Sequence, residues 1–328
     1  MLPSASTAGK IVVGAFTALG VALGQTYIVY PSYAPSGSRK DVDTPDMHRM
    51  PIYEDLTLTT PDKIKIKAYL MLQGAAQGKQ AMEREAKTRP TILFLHANAG
   101  NMASLKIILC CLQLIQIQTG PSYGLSEGSP SEKGIRMDAQ LALDYITSHP
   151  VLEKTKIVLY GQSIGGAISI DLASNNGDRI AGLILENTFL SLSKMARAVM
   201  PISTPFVLMG LLTEKWDSAK QIRKLPSNMA ALFLSGERDE IVPTFQFLEL
   251  FKLCPCQKKR LRQFPNGTHN DTSAQPGYWT EIQKWLHDEI AQLPIDEKPR
   301  RSETFDVKRM DGAEEELIGS IGAGSIAP

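Results

Sequence analysis

Cysteine is scarce in this chain: the 328 residues hold four. Cys110 and Cys111 are adjacent, and Cys254 and Cys256 flank a proline. Neither pair has the Cys-x-x-Cys spacing of a zinc or redox motif, and four is too few for a disulfide scaffold. An excess of either charge is absent too. The 35 Lys and Arg stand against 34 Asp and Glu, a net charge of +1, so composition points to no nucleic acid and no strongly acidic partner. Internal repeats are also absent, which excludes solenoid architectures. The length suits one large α/β domain with additions at both ends.

Charge is missing altogether from one stretch. Ile11 to Tyr30 carries none, and about 20 apolar residues of helix cross a bilayer core. Lys10 marks one end, and Tyr27 and Tyr30 suit the membrane interface at the other. The expectation is an uncleaved N-terminal transmembrane anchor over residues 1–32. A cleaved signal peptide is the rival, although the run exceeds the usual apolar core of such peptides. The Pro/Ser/Gly-rich segment 33–51 reads as a linker. After residue 293 the chain turns charged and then Gly/Ala-rich, so 294–328 is expected to be a disordered tail.

Between these lies the expected domain, 52–293. Asp55–Leu58 and Ile64–Leu72 flank Thr60-Pro61-Asp62 and predict an antiparallel hairpin. Short apolar runs at Pro90–Leu95, Lys156–Tyr160, Ile180–Leu185, Ala230–Ser235 and Lys259–Phe264 predict buried strands. Helical spacing at Gly134–Tyr145, and at Tyr278, Ile282, Trp285, Leu286 and Ile290, places helices among them. The apolar, Met-containing segment 188–227, interrupted by Pro201 and Pro205, could form a cap over an acyl or lipid pocket or pack as ordinary helix.

The stretch Lys156–Ser174 carries the chemistry. A strand runs into Gly161-Gln-Ser163-Ile-Gly165 and then into the apolar residues Ala167, Ile168, Ile170 and Leu172 of a buried helix. Such a strand-to-helix bend lifts its serine out of the sheet, and bulky residues at 161 and 165 would collide across it. Serine needs an adjacent base, and histidine needs a carboxylate to fix its tautomer. Ser163, Asp239 and His269 each follow an expected strand, which brings all three to one edge of a parallel sheet. Their order is that of α/β-hydrolases. Glu237, Glu240 and Asp271 compete with Asp239. The developing oxyanion needs two N–H donors. Ile164 supplies one, and Asn98, in the loop after Pro90–Leu95, is the candidate for the other.

The chain resembles α/β-hydrolase domain-containing proteins, in particular a membrane-anchored branch of the fungal bud-emergence type. The resemblance rests on Ile28-Val-Tyr-Pro-Ser32, Thr44-Pro45, His96-Ala-Asn-Ala-Gly-Asn-Met102, Tyr123-Gly-Leu-Ser-Glu-Gly128 and Glu132-Lys-Gly134 with Asp138. Gly161–Gly166, Glu186-Asn-Thr-Phe189, Trp216-Asp-Ser218, Ser235–Pro243 and Gly267-Thr-His-Asn270 extend it, so it runs from about residue 28 to 290. It implies a mostly parallel central sheet with helices on both faces. It implies a serine hydrolase acting on ester, thioester or lipid acyl bonds, with no metal or organic cofactor, at the endoplasmic reticulum or plasma membrane. A non-catalytic membrane or polarity scaffold and a serine peptidase are the alternatives. The chain departs from the family in two places. Ala97 replaces a usual glycine. Residues 101–123 are short for the helix, loop and inner strand they must supply, with Pro121 and Ser122 where the family has arginine and glycine. This span is expected to be the weakest part of the fold. Leu112–Gln118 could serve as the inner strand; a deletion or a misread gene would leave the sheet without one.

Overall fold

The computed structural model describes residues 29–31, 44–48, 53–71, 87–96, 113–117, 126–199 and 212–292. Eight strands form one sheet: β1 (Tyr53–Thr59), β2 (Lys65–Met71), β3 (Thr91–Leu95), β4 (Gln113–Ile117), β5 (Ile157–Gln162), β6 (Gly182–Glu186), β7 (Ala230–Gly236) and β8 (Lys258–Phe264). Their order is β1-β2-β4-β3-β5-β6-β7-β8. β2 is antiparallel to both its neighbours, and β4 through β8 run parallel. β3, β5, β6 and β7 are short, apolar and buried because helices cover both faces, whereas the edge strand β8 (Lys-Lys-Arg-Leu-Arg-Gln-Phe) is largely charged and half-exposed.

The inner strand is present. β4 pairs with β2 from Ala68↔Ile117 to Met71↔Leu114 and with β3 from Thr91↔Gln113 to Leu95↔Ile117. Of the two alternatives for the short 101–123 span, Leu112–Gln118 as the inner strand holds, and a sheet left open there is overturned. Five residues reach across at strand rise, and the residues to either side lie outside the described ones.

Alternate residues of the central strands feed two cores. Ile157 and Leu159 of β5, Leu183 and Leu185 of β6, and Phe233 of β7 face one side. There they meet α1 (Glu132–Ser148), α2 (Ile164–Asn175) and α5 (Thr244–Leu253). Val158, Tyr160, Ile184 and Leu232 face the other side, against α6 (Tyr278–Trp285) and the π-helical turn Leu286–Ala291 that continues it. Tyr278, Ile282, Trp285, Leu286 and Ile290 are all buried, as their spacing predicts. Ser131 caps α1 by accepting the Gly134 N–H at 3.1 Å. The hairpin turn is closed by Thr60, whose backbone N–H donates to Ile64 O at 2.9 Å, with Lys63 left-handed at φ 67.

The expected cap is described only at its ends, in α3 (Leu192–Val199) and α4 (Ser218–Gln221). Trp216, Ile222 and Leu225 are built into the core, and Leu192 N–H donates to Lys215 O at 3.0 Å. Residues 200–211 lie outside the described ones, as do 33–43 and 49–51 of the expected linker, the tail 294–328 and all of the expected anchor but residues 29–31. Among the described residues no helix is long and apolar enough to cross a membrane.

Tyr30 departs from its expected place at a membrane interface. It is buried in the domain at 2% exposure. Its hydroxyl donates to Glu214 Oε2 at 2.5 Å and accepts from Trp216 Nε1–H at 2.7 Å. Glu214 also accepts the Glu132 N–H at 2.5 Å, and Arg136 lies over the Trp216 ring, 5.2 Å from its centre. The segment entering the domain is thus fastened to the start of α1 and to the chain before α4. Tyr30→Phe keeps the ring, strands the buried Trp216 Nε1–H and removes one of two donors to Glu214 Oε2. It is expected to lower unfolding free energy by about 1–3 kcal/mol in urea denaturation; an unchanged midpoint would contradict this arrangement.

Candidate active site

The site starts from the bend between β5 and α2. Ser163 sits there with φ 54 and ψ −119, a conformation that a residue with a Cβ holds only when its surroundings enforce it. Its N–H donates to Glu186 O at the end of β6, at 2.9 Å. The flanking glycines are required sterically. A Cβ on Gly161 would run into the Gly165 carbonyl, and one on Gly165 into the Leu95 carbonyl at the end of β3. Helix α2 therefore starts in backbone contact with the edge of the sheet. Ile164 is its first residue, so its N–H has no acceptor within the helix. Asn98, the other expected N–H donor, lies outside the described residues.

The other two expected residues arrive on the loops after β7 and β8. His269 Nε2 lies 3.0 Å from Ser163 Oγ. His269 Nδ1 lies 2.8 Å from Asp239 Oδ2 and 3.0 Å from Oδ1. A carboxylate only accepts, so Nδ1 carries the ring proton and Nε2 accepts from the serine hydroxyl. The Asp239 carboxylate is fixed further by the N–H groups of Ile241 at 2.9 Å and Val242 at 2.7 Å. Ser163 is 7% exposed, His269 4%, and the Asp239 side chain 2%.

The competing carboxylates have other partners. Glu240 accepts the His269 backbone N–H at 3.1 Å. Asp271 accepts the Thr268 N–H at 2.6 Å, a bond that lowers its pKa. Glu237 is exposed. Of the other histidines, His149 Nδ1 accepts the Val151 N–H at 3.2 Å, the His287 side chain is solvent-facing, and His96 is buried just after β3, where its carbonyl faces Gly165. Among the described residues no group of three or more His, Cys, Asp or Glu is placed to hold a metal. Cys254 and Cys256 are buried free thiols.

Sequence reasoning assigned no role to what lies beneath. Glu186 ends β6 at 1% exposure. Its Oε2 accepts from Tyr160 OH at 2.8 Å and Tyr278 OH at 2.6 Å, and the two phenols lie 2.5 Å apart. Its Oε1 has no hydrogen-bond partner among the described residues. Burial pushes this carboxyl up, against the opposing effect of the two phenols and of nearby His269. Burial likewise raises both tyrosines well above their ordinary value. Each of the three sits on a different element, so only a buried polar residue within an apolar run, such as Tyr160 in Ile-Val-Leu-Tyr, hinted at it.

Glu186 binds its proton more tightly folded than unfolded, so the stability that this proton contributes is complete below the ordinary value of 4.5. It is lost as pH rises through the raised folded value. Glu186→Gln carries no such titration. The stability of the parent relative to this variant, from denaturation midpoints across pH, is expected to fall as pH rises above 4.5 and then level off. A difference independent of pH would contradict a raised Glu186.

Known proteins share this architecture. No family model matches the chain. Protein bem46 of Schizosaccharomyces pombe is 43% identical over 284 residues, covering 84% of this chain and 91% of that protein. An uncharacterized membrane protein of Saccharomyces cerevisiae, YNL320W, is 39% identical, covering 80% and 88%. The α/β-hydrolase domain-containing protein WAV2 of Arabidopsis thaliana is 33% identical, covering 81% and 89%. Among solved structures, an α/β-hydrolase from Vibrio vulnificus superposes with a TM-score of 0.62 at 19% identity, covering 80% of this chain and 93% of that one. The Pyrococcus furiosus esterase Pf2001 gives 0.57 at 16%, covering 75% and 94%. The shared fold, and relatives that match along most of their own length, make this chain a member of the α/β-hydrolase family, in its fungal Bem46-type branch.

Proposed function

We propose that this hydrolase is a serine hydrolase that cleaves an ester, thioester or lipid acyl bond through Ser163, His269 and Asp239. The observation that carries the reading is the hydrogen-bonded chain from Ser163 Oγ to His269 Nε2 at 3.0 Å and from His269 Nδ1 to Asp239 Oδ2 at 2.8 Å. In this reading Ser163 Oγ attacks the acyl carbon while His269 Nε2 takes the hydroxyl proton. Asp239 holds the ring in the tautomer that leaves Nε2 free to accept, and stabilises the imidazolium that forms. The oxyanion gathers charge beside the start of α2, where Ile164 N–H, and Asn98 N–H from the loop after β3, donate to it. His269 then gives its proton to the departing alcohol or thiol. Water, deprotonated by the same nitrogen, attacks the acyl-enzyme and releases the acid. Every proton and bond in this sequence is handled by side chains and backbone of this chain, with no cofactor required.

A membrane site suits the reading. The charge-free run ahead of Val29 supports an anchor within the first 28 residues, in the endoplasmic reticulum or plasma membrane, and the Saccharomyces cerevisiae relative is named a membrane protein. An anchored domain would meet acyl groups presented at a bilayer, with 188–227 as part of the acyl-binding side. The missing inner strand that favoured a non-catalytic scaffold has no support, because β4 is paired on both edges.

The test is hydrolysis of short and long acyl esters and thioesters by the detergent-solubilised protein. Ser163→Ala and His269→Ala are each expected to cut kcat/KM by at least about 10³-fold. Asp239→Asn is expected to cost about 10⁴-fold, because an amide favours the wrong histidine tautomer. Parental turnover in Ser163→Ala would overturn the reading.

A further inference from the structure

The loops that carry Asp239 and His269 are joined through one side chain that belongs to neither. Asn187 follows β6, is 2% exposed and sits left-handed at φ 46. Asparagine tolerates this region better than other residues with a Cβ. Its Oδ1 accepts the Gly236 N–H at 2.8 Å, at the end of β7 and three residues before Asp239. Its Nδ2 donates to Thr272 Oγ1 at 2.9 Å, Thr268 O at 3.2 Å and His269 O at 3.3 Å. One amide thus ties the root of the Asp239 loop to both flanks of His269. The backbone on either side leaves no slack. A Cβ on Gly236 would meet the Gly267 carbonyl oxygen at 2.6 Å, and Arg238 N–H donates to that same oxygen at 2.9 Å. Gln162, beside Ser163, adds a second side-chain donor to His269 O at 3.2 Å.

We infer that Asn187 is a positioning residue that holds the His269 ring at reacting distance from Ser163 and in register with Asp239, by bonding the β7 and β8 loops to the end of β6. This rests on the serine-hydrolase reading. Asn187 touches no reacting atom; it acts through the His269 backbone. The amide is specifically required. An aspartate there would lose both donated protons and bury a charge, and an alanine or glycine would leave Gly236 N–H and the Thr268 and His269 carbonyls short of a partner. A displacement of the base by about 1 Å is enough to cost about 10²-fold in rate.

The experiment measures the second-order rate of inactivation of the full chain by a fluorophosphonate, across about pH 5 to 9, the range in which histidine titrates. It compares the parent with Ser163→Ala, Asn187→Gly and Thr272→Val, each with a melting curve. Glycine keeps the left-handed backbone and removes only the amide. The expected result is a folded Asn187→Gly that reacts about 10²-fold more slowly, with the acidic limb of its pH profile displaced, because that limb reports deprotonation of His269. Thr272→Val, which removes one partner of the amide, should change both quantities in the same direction by less. A folded Asn187→Gly with the parental rate, or a slower one with an unmoved limb, overturns the inference. If Asn187→Gly does not fold, Thr272→Val decides on the same two readouts. Absence of reaction in the parent, or reaction in Ser163→Ala at the parental rate, defeats the serine-hydrolase reading itself. Serine-dependent reaction with an unaffected Asn187→Gly defeats the positioning role alone.

Discussion

The bend at Ser163 is the constraint on which the rest of the structure depends. A residue with a Cβ held at φ 54 and ψ −119 costs on the order of 1–3 kcal/mol, which the surroundings must over-determine. They do so from three directions. Glu186 O accepts the serine N–H, the gap at Gly161 admits the Gly165 carbonyl, and the gap at Gly165 admits the end of β3. The bend exists because β3, β5 and β6 are neighbours in the sheet, and the sheet leaves room for it only with glycine at 161 and 165. That geometry aims the serine hydroxyl outward beside the first N–H groups of α2, where a nucleophile and an oxyanion need to be.

The site is buried and polar, and its satisfaction is uneven. Asp239 is held by His269 and two backbone N–H groups, and Asn187 uses both of its protons and its carbonyl. Glu186 is the exception, with one oxygen bonded by two phenols and the other without a hydrogen-bond partner among the described residues. A buried carboxyl in this state favours its neutral form. The Asp239 charge acts in the same direction as burial on Glu186, against the two phenols and His269.

Most strands along the chain, and the gathering of the candidate residues Ser163, Asp239 and His269 at one edge of the sheet, were legible because each depends on a local pattern. Ile-Val-Leu-Tyr before Gly161 reads as strand, and Ser163, Asp239 and His269 each follow such a run. Asp239 could be separated from Glu237, Glu240 and Asp271 only weakly, since all four stand in the same two loops; backbone N–H groups and distance decide it. The helix Thr244–Leu253 went unread, because the exposed Phe245 blurs the apolar spacing of Phe247, Leu250 and Phe251. Tyr30 was misplaced because an apolar run looks alike whether its end meets lipid or Trp216. The roles of Glu186 and Asn187 were not legible: their partners lie as many as 92 and 85 positions away, and only the folded sheet makes them neighbours. The inner strand β4 was the reverse case, a short and irregular span whose pairing partners in β2 and β3 rescue it.

The most direct test of the central claim is to treat the folded parent protein with a fluorophosphonate and locate the adduct by peptide mass spectrometry. An activated serine at the bend predicts one phosphonyl group per chain, on Ser163 within the peptide that carries Gly161 to Gly165. Modification of other serines only, or no adduct on a protein that melts cooperatively, would contradict it.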